Sequence, residues 1–167
     1  TTDYKQLLEE VATSAVLPAQ DWMALLVCQG KPSGGERTLA LLGDVYRTLV
    51  RLLRGNVRDW DDAMAGHWDA AIRGSAALAA AISRALRCEV AAFKGHDIAL
   101  LLWDCAHFYD SLRILRIMRF AFATGYSPRL LLLGLQVHLA TRVIRAGLTH
   151  SELMRNLDSI LAGCGQA

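Results

Sequence analysis

A continuous apolar run, Ile98-Ala-Leu-Leu-Leu-Trp103, breaks off at Asp104. Six apolar residues in a row, preceded by the breaker Gly95-His-Asp97, suit a strand buried on both faces. The pattern predicts a central strand that delivers the Asp104 carboxylate to its exposed tip. Five residues later comes Tyr109, and next to it a second aspartate, Asp110. Rigid strands ending in a carboxylate are a common way to hold a divalent cation.

The surrounding chain has the means to bury such a strand. At 167 residues and 53% apolar it is one domain, or a piece of one, with ample core. A charged share of 20% is too low for a disordered chain. The longest uncharged apolar run, Leu130 to Thr141, is 12 residues. A membrane-spanning helix needs about 18–20, so this run reads as a buried helix and no membrane partner is expected. Thr1-Thr-Asp-Tyr-Lys5 leads straight into an amphipathic pattern with no signal peptide. The missing initiator Met reads as a fragment or a processed product. Cys28, Cys88, Cys105 and Cys164 are far apart and form no C-x-x-C pair. A zinc site is therefore not expected, and reduced thiols in an intracellular protein are. The five histidines lack ligand spacing.

Asp3–Val16 reads as a helix with Tyr4, Leu7, Leu8 and Val11 on one face, ended by Pro18. Gly30-Lys-Pro-Ser-Gly-Gly-Glu-Arg37 is a loop between two apolar runs, Trp22–Cys28 and Thr38–Leu42. Asp44–Leu53 is expected as a helix capped by Asp44, with Val45, Leu49 and Leu52 inward and Gly55-Asn56 as its stop. Arg58–Ala71 reads as an acidic helix or turn region, and helices are expected over Ser75–Phe93 and Asp110–Phe122, the last with Leu112, Leu115 and Ile117 inward. Ser127 and Pro128 suit the cap and first position of a helix to Leu139. Thr141–Ala146 and Glu152–Ile160 read as paired strands around a turn. The fold class expected is α+β, helix-rich, with helices packed on a small, mostly antiparallel sheet.

Charge is unevenly spread. Residues 1–72 carry 7 basic and 10 acidic side chains, residues 73–167 carry 11 and 6. A basic half faces a polyanion or simply solvates apolar helices. The series Arg113, Arg116, Arg119 fits a solvated helix face.

Three ordered segments resemble the reverse transcriptase domain of non-LTR retrotransposons and group II introns. Lys31-Pro-Ser-Gly-Gly-Glu-Arg37-Thr-Leu-Ala-Leu-Leu42 is similar to the fingers hairpin of that family. The Asp104–Tyr109 segment resembles the palm motif D-x-x-x-A-F-D, and Arg119-Phe-Ala-Phe-Ala-Thr-Gly125-Tyr-Ser-Pro-Arg-Leu-Leu131 resembles the helix–turn–helix that follows it. Arg142-Val-Ile-Arg-Ala-Gly147, leading on to Ser159-Ile-Leu-Ala-Gly163-Cys-Gly-Gln166, is similar to the palm hairpin and its G-V-P-Q-G loop. The resemblance covers about residues 22–167. It implies an RNA-directed DNA polymerase, with fingers over about 20–95 and the first half of the palm over 96–167.

The resemblance assigns Asp104 a catalytic Mg²⁺ in two-metal nucleotidyl transfer. Tyr109, with Phe108 beside it, would lie under the sugar and exclude a 2′-hydroxyl. Arg37 and Lys31 would sit near the template and the incoming triphosphate, and Gly163 in the nucleotide-facing loop. The partners implied are an RNA template, a DNA primer and deoxynucleoside triphosphates. Asp110 reads as a helix cap. The chain departs from the family at His107-Phe108 (usually Lys-Ala), Thr38 (usually Pro) and Ala162 (usually Gln). The Y-x-D-D hairpin, which supplies the remaining metal-binding aspartates, would lie downstream of Ala167, as would the thumb. The chain alone is therefore expected not to polymerise. The competing expectation is a non-catalytic helical interaction domain, or a degenerate remnant.

Overall fold

A computed structural model describes residues 2–32, 34–66, 76–101, 108–156 and 158–161. The fold is α+β, with a four-stranded mixed sheet in the order β2-β1-β3-β4. Two compact units make up the chain. One joins residues 1–57 to 107–167, and the other is residues 58–106, inserted between those halves in sequence.

The first unit opens with α1 (Thr2–Ser14). It stops short of the expected end because Ala15 turns left-handed, φ 54°. The exit is held from a distance: the Gln136 side chain donates to the Ala15 carbonyl (2.7 Å) and accepts from the Leu17 N–H (2.9 Å). A short 3-10 turn (Ala19–Trp22) then feeds β1 (Met23–Gly30), which forms an antiparallel hairpin with β2 (Glu36–Leu41). The Gly-rich loop is legible as a turn for a physical reason. Gly34 and Gly35 both need positive φ, 86° and 79°, which side-chain-bearing residues rarely adopt.

α2 (Asp44–Leu52) follows directly, and α3 (Arg54–Met64) begins after a turn at Leu53. Gly55-Asn56 therefore lies inside a helix rather than stopping one. Later come α5 (Phe108–Ser111), α6 (Ile114–Ala123), α7 (Pro128–His138), β3 (Thr141–Ala146) and β4 (Thr149–His150). β1 pairs β3 in parallel, Met23 opposite Thr141 through Val27 opposite Arg145. The strand expected over Glu152–Ile160 reduces to one bridge, Met154 with Arg142, and the partner of β3 is instead β4, inside the expected turn. The Ser151 side chain accepts the Ile144 N–H (2.9 Å), which replaces a ladder bond.

The core sits between α1, α2 and α7 and one face of the sheet. It gathers Val11, Leu17, Ala24, Leu26, Val45, Tyr46, Leu49, Val50, Leu133, Val137 and Leu161. Leu133 is fully buried, which favours folding by about 2–3 kcal/mol on transfer grounds. α2 presents Val45, Tyr46, Leu49 and Val50 inward. Leu52, expected inward, is 67% exposed because it falls off that face.

In the second unit α4 (Ala77–Phe93) buries no residue. The strand expected over Ile98–Trp103 is contradicted where it is described: Ile98–Leu101 form neither strand nor helix, and Leu100 and Leu101 are exposed. No described strand pairs with them, and an unpaired strand leaves its backbone groups unsatisfied.

Candidate functional site

Asp104 and Gly163, the expected metal ligand and the loop glycine, lie outside the described residues, as do Trp103 and His107. Lys31 and Arg37 flank the β1–β2 turn. The Lys31 N–H donates to the Gly35 carbonyl (2.9 Å), and Arg37 stands opposite Gln29. Both side chains are exposed. Phe108 and Tyr109 stack edge to face, with ring centroids 5.4 Å apart, and both are partly exposed. The Tyr109 carbonyl accepts from the Ile160 N–H (3.1 Å). The tyrosine segment is thus joined to the stretch that leads to Gly163.

That junction is the most developed polar site among the described residues, and the sequence alone does not single it out. His138, at the end of α7, is buried. Its Nδ1 accepts from the Leu161 N–H (3.1 Å), and its carbonyl accepts from Arg142 Nη2 (3.1 Å). Burial first, and then the nearby Arg142 charge, push the imidazole pKa down to about 4. His138 is therefore neutral and an acceptor at physiological pH.

Arg142 also donates from Nη1 to Ser159 Oγ (3.4 Å), while its Nε is buried without a hydrogen-bond partner among the described residues. Burial lowers the guanidinium pKa, and the Asp110 carboxylate acts against that. Ser159 holds a left-handed backbone, φ 75°, steadied by Asn156 Nδ2 donating to its Oγ (3.3 Å). Asp158 completes the set. Its Oδ1 accepts the Ile114 N–H (2.8 Å), and its Oδ2 lies 3.5 Å from Arg113 Nε.

Asp158 also corrects two expectations. The helix foreseen over Asp110–Phe122 is broken at Leu112–Arg113, and the donor at the start of α6 is met by Asp158 rather than by Asp110. Leu115 is 69% exposed, and Ile114 and Ala121 are buried in its place. The new turn shifts the helix face.

A second displaced cap lies at α2. Asp44 is the first helical residue, not its cap, and Gly43 precedes it without a side chain to offer. The buried Asp21 carboxylate accepts the Tyr46 N–H (3.0 Å). A Cβ at Gly43 would overlap that carboxylate, so glycine is required there. Burial raises the Asp21 pKa, the Tyr46 bond opposes this, and the Asp44 charge adds to the rise. Asp44 instead accepts from the Tyr4 hydroxyl (3.0 Å), which fastens α1 to α2.

Chemically, these groups fix chain positions. The described residues contain no group of three or more His, Cys, Asp or Glu able to hold a metal ion. Among them, no helix is long and apolar enough to cross a membrane. Cys28 and Cys88 are free thiols. No protein-family model matches the chain, and no curated protein matches it either.

Proposed function

We propose that this chain is the fingers and the first part of the palm of an RNA-directed DNA polymerase. The reading rests on the three ordered motifs. One structural observation carries it further: the second and third of the resembling segments meet. The backbone of Tyr109, in the palm motif, is hydrogen-bonded to Ile160, three residues before Gly163. A residue that lies under a sugar and a loop that faces the same nucleotide need this proximity. Further support comes from β1–β2 and β3 sharing one sheet, so Lys31 and Arg37 ride on a frame built by both halves of the sequence.

In this reading Asp104 holds Mg²⁺ together with carboxylates from outside these 167 residues. Arg37 and Lys31 meet phosphate, where a guanidinium fork gives paired, charge-assisted hydrogen bonds. Tyr109 and Phe108 border the sugar, and Gly163 admits the nucleotide. The substrates are deoxynucleoside triphosphates on a primed RNA template. The test uses a protein that carries this chain together with a downstream aromatic-x-Asp-Asp hairpin. Asp104→Asn is expected to reduce primer extension to background while the circular dichroism spectrum stays unchanged. Undiminished extension by that variant would take Asp104 out of the mechanism.

A second reading, a non-catalytic interaction domain, is favoured by α4. That helix leaves Leu78, Ile82, Leu86 and Val90 at least half exposed in a single stripe. Absence of primer extension by the wild-type extended protein would favour it.

A further inference from the structure

We propose that the outer edge of β2, with the cleft beside it, binds an extended peptide whose side chains alternate between acidic and apolar. β2 is an outer strand of the sheet. The hairpin register fixes which of its backbone groups point away. Lys31 and Gly35 share a hydrogen bond, and the ladder continues through Gln29–Arg37, Val27–Leu39 and Leu25–Leu41. Hydrogen-bonded pairs alternate along an antiparallel ladder. Arg37, Leu39 and Leu41 therefore direct their N–H and C=O groups to β1. Glu36, Thr38 and Ala40 direct theirs outward, and no backbone hydrogen bond between described residues outside the ladder engages them. The strand has neither proline nor a break in register to blunt this edge.

The two sides of that edge differ. Ala40 packs against the core on the α2 side, whereas Leu39 (38%) and Leu41 (55%) are exposed on the other face. On the α2 side a cleft of about 380 Å³ has Leu41 at the edge as well as Leu42, Tyr46 and Val50 among its walls, and Arg47 and Arg51 line it too. These arginines stand one helical turn apart, and neither forms an ion pair among the described residues. A strand added outside β2 sends alternate side chains to opposite faces. One set meets the two unneutralised guanidinium groups, and the other meets Leu39 and Leu41. Acidic residues suit the first and apolar residues the second, with main-chain bonds to Thr38 and Ala40 supplying affinity. A phosphate backbone would satisfy the arginines and leave both the leucines and the strand edge unmatched.

The test titrates the full chain with an acetylated, amidated hexapeptide alternating glutamate and valine. Binding is read by calorimetry and by amide hydrogen exchange. Saturable binding is expected, with exchange at Thr38 and Ala40 slowed at least tenfold. The Arg47→Glu, Arg51→Glu double variant should weaken binding at least tenfold, and the lysine–valine counterpart should not bind. Thr38→Pro removes an outward N–H without touching a β1 bond, and should weaken binding to a similar degree. The same hexapeptide N-methylated at alternate residues removes the edge pairing without altering the protein, and should not bind. No saturable binding at millimolar peptide would overturn the proposal. So would equal binding of the N-methylated peptide, or tighter binding of polyuridylate that leaves the Thr38 and Ala40 amides unprotected.

Discussion

Helices α2 and α4 are built from similar materials and do opposite things. α2 has nine residues and buries four of them; α4 has seventeen and buries none. Both carry an apolar stripe and arginines. In α2 the stripe meets the sheet and α1, and the helix start is met by a carboxylate from another segment. α4 relies on the intrinsic helix preference of its seven alanines, although isolated helices of this length are marginal in water. Tertiary contact, rather than helix length, decides which of the two resists unfolding.

The contrast can be broken by substitution. Leu49→Ala, in the buried face of α2, should cost about 2–5 kcal/mol in denaturant unfolding. A loss below about 1 kcal/mol would mean that α2 does not anchor the core. His138 gives the next effect. Its pKa falls from 6.5 unfolded to about 4 folded, so the unfolded state binds the proton more readily. Stability from this group is complete above pH ~6.5 and declines as pH falls towards 4, by about 1.4 kcal/mol per pH unit. Asp21 has the opposite sign, since its raised pKa favours the fold at low pH and works against it as pH rises. His138→Gln should therefore flatten the acid limb of a stability–pH profile, and an unchanged slope would clear His138 of responsibility.

Gly43→Ala should displace the Asp21 carboxylate from the start of α2 and cost about 1–2 kcal/mol, the range of a lost cap. Thermal unfolding at neutral pH would measure it, and wild-type behaviour would show that the cap yields freely. The smallest effect belongs to α4: Leu86→Ala, at a residue 54% exposed, should change stability by no more than about 0.5 kcal/mol. A loss comparable to that of Leu49→Ala would erase the distinction between the helices.

What the sequence disclosed follows the range of the forces involved. The β1–β2 hairpin was legible because two glycines at positive φ separate two apolar runs. α7 was legible from Ser127-Pro128 and its uncharged run, and β3 from Thr141–Ala146. Errors cluster where a distant side chain intervenes. Asp158 breaks the helix expected from Asp110, Asp21 takes the capping role expected of Asp44, and Ser151 interrupts the last strand pairing. None of these partners lies within one turn of the residue it controls. The polar site around His138 was hidden for the same reason. Its one local trace is a histidine inside the uncharged run from Leu130 to Thr141, which reads as part of a buried helix until Leu161 and Arg142 are brought alongside. Asp104, on which the metal reading depends, falls outside the described residues, and the part of its apolar run that is described is not a strand.

The parallel pairing of β1 with β3 has a consequence for the birth of the molecule. Each residue from Met23 to Val27 waits for a partner 118 positions later in the chain. At a synthesis rate of about 5–20 residues per second that is roughly ten seconds, during which the nascent hairpin is open along β1 as well as β2 and for most of that time has no α7 beside it. Contacts so distant also make the closing step slow. The interval before β3 leaves the ribosome is the period in which this chain is most exposed to pairing with the wrong strand.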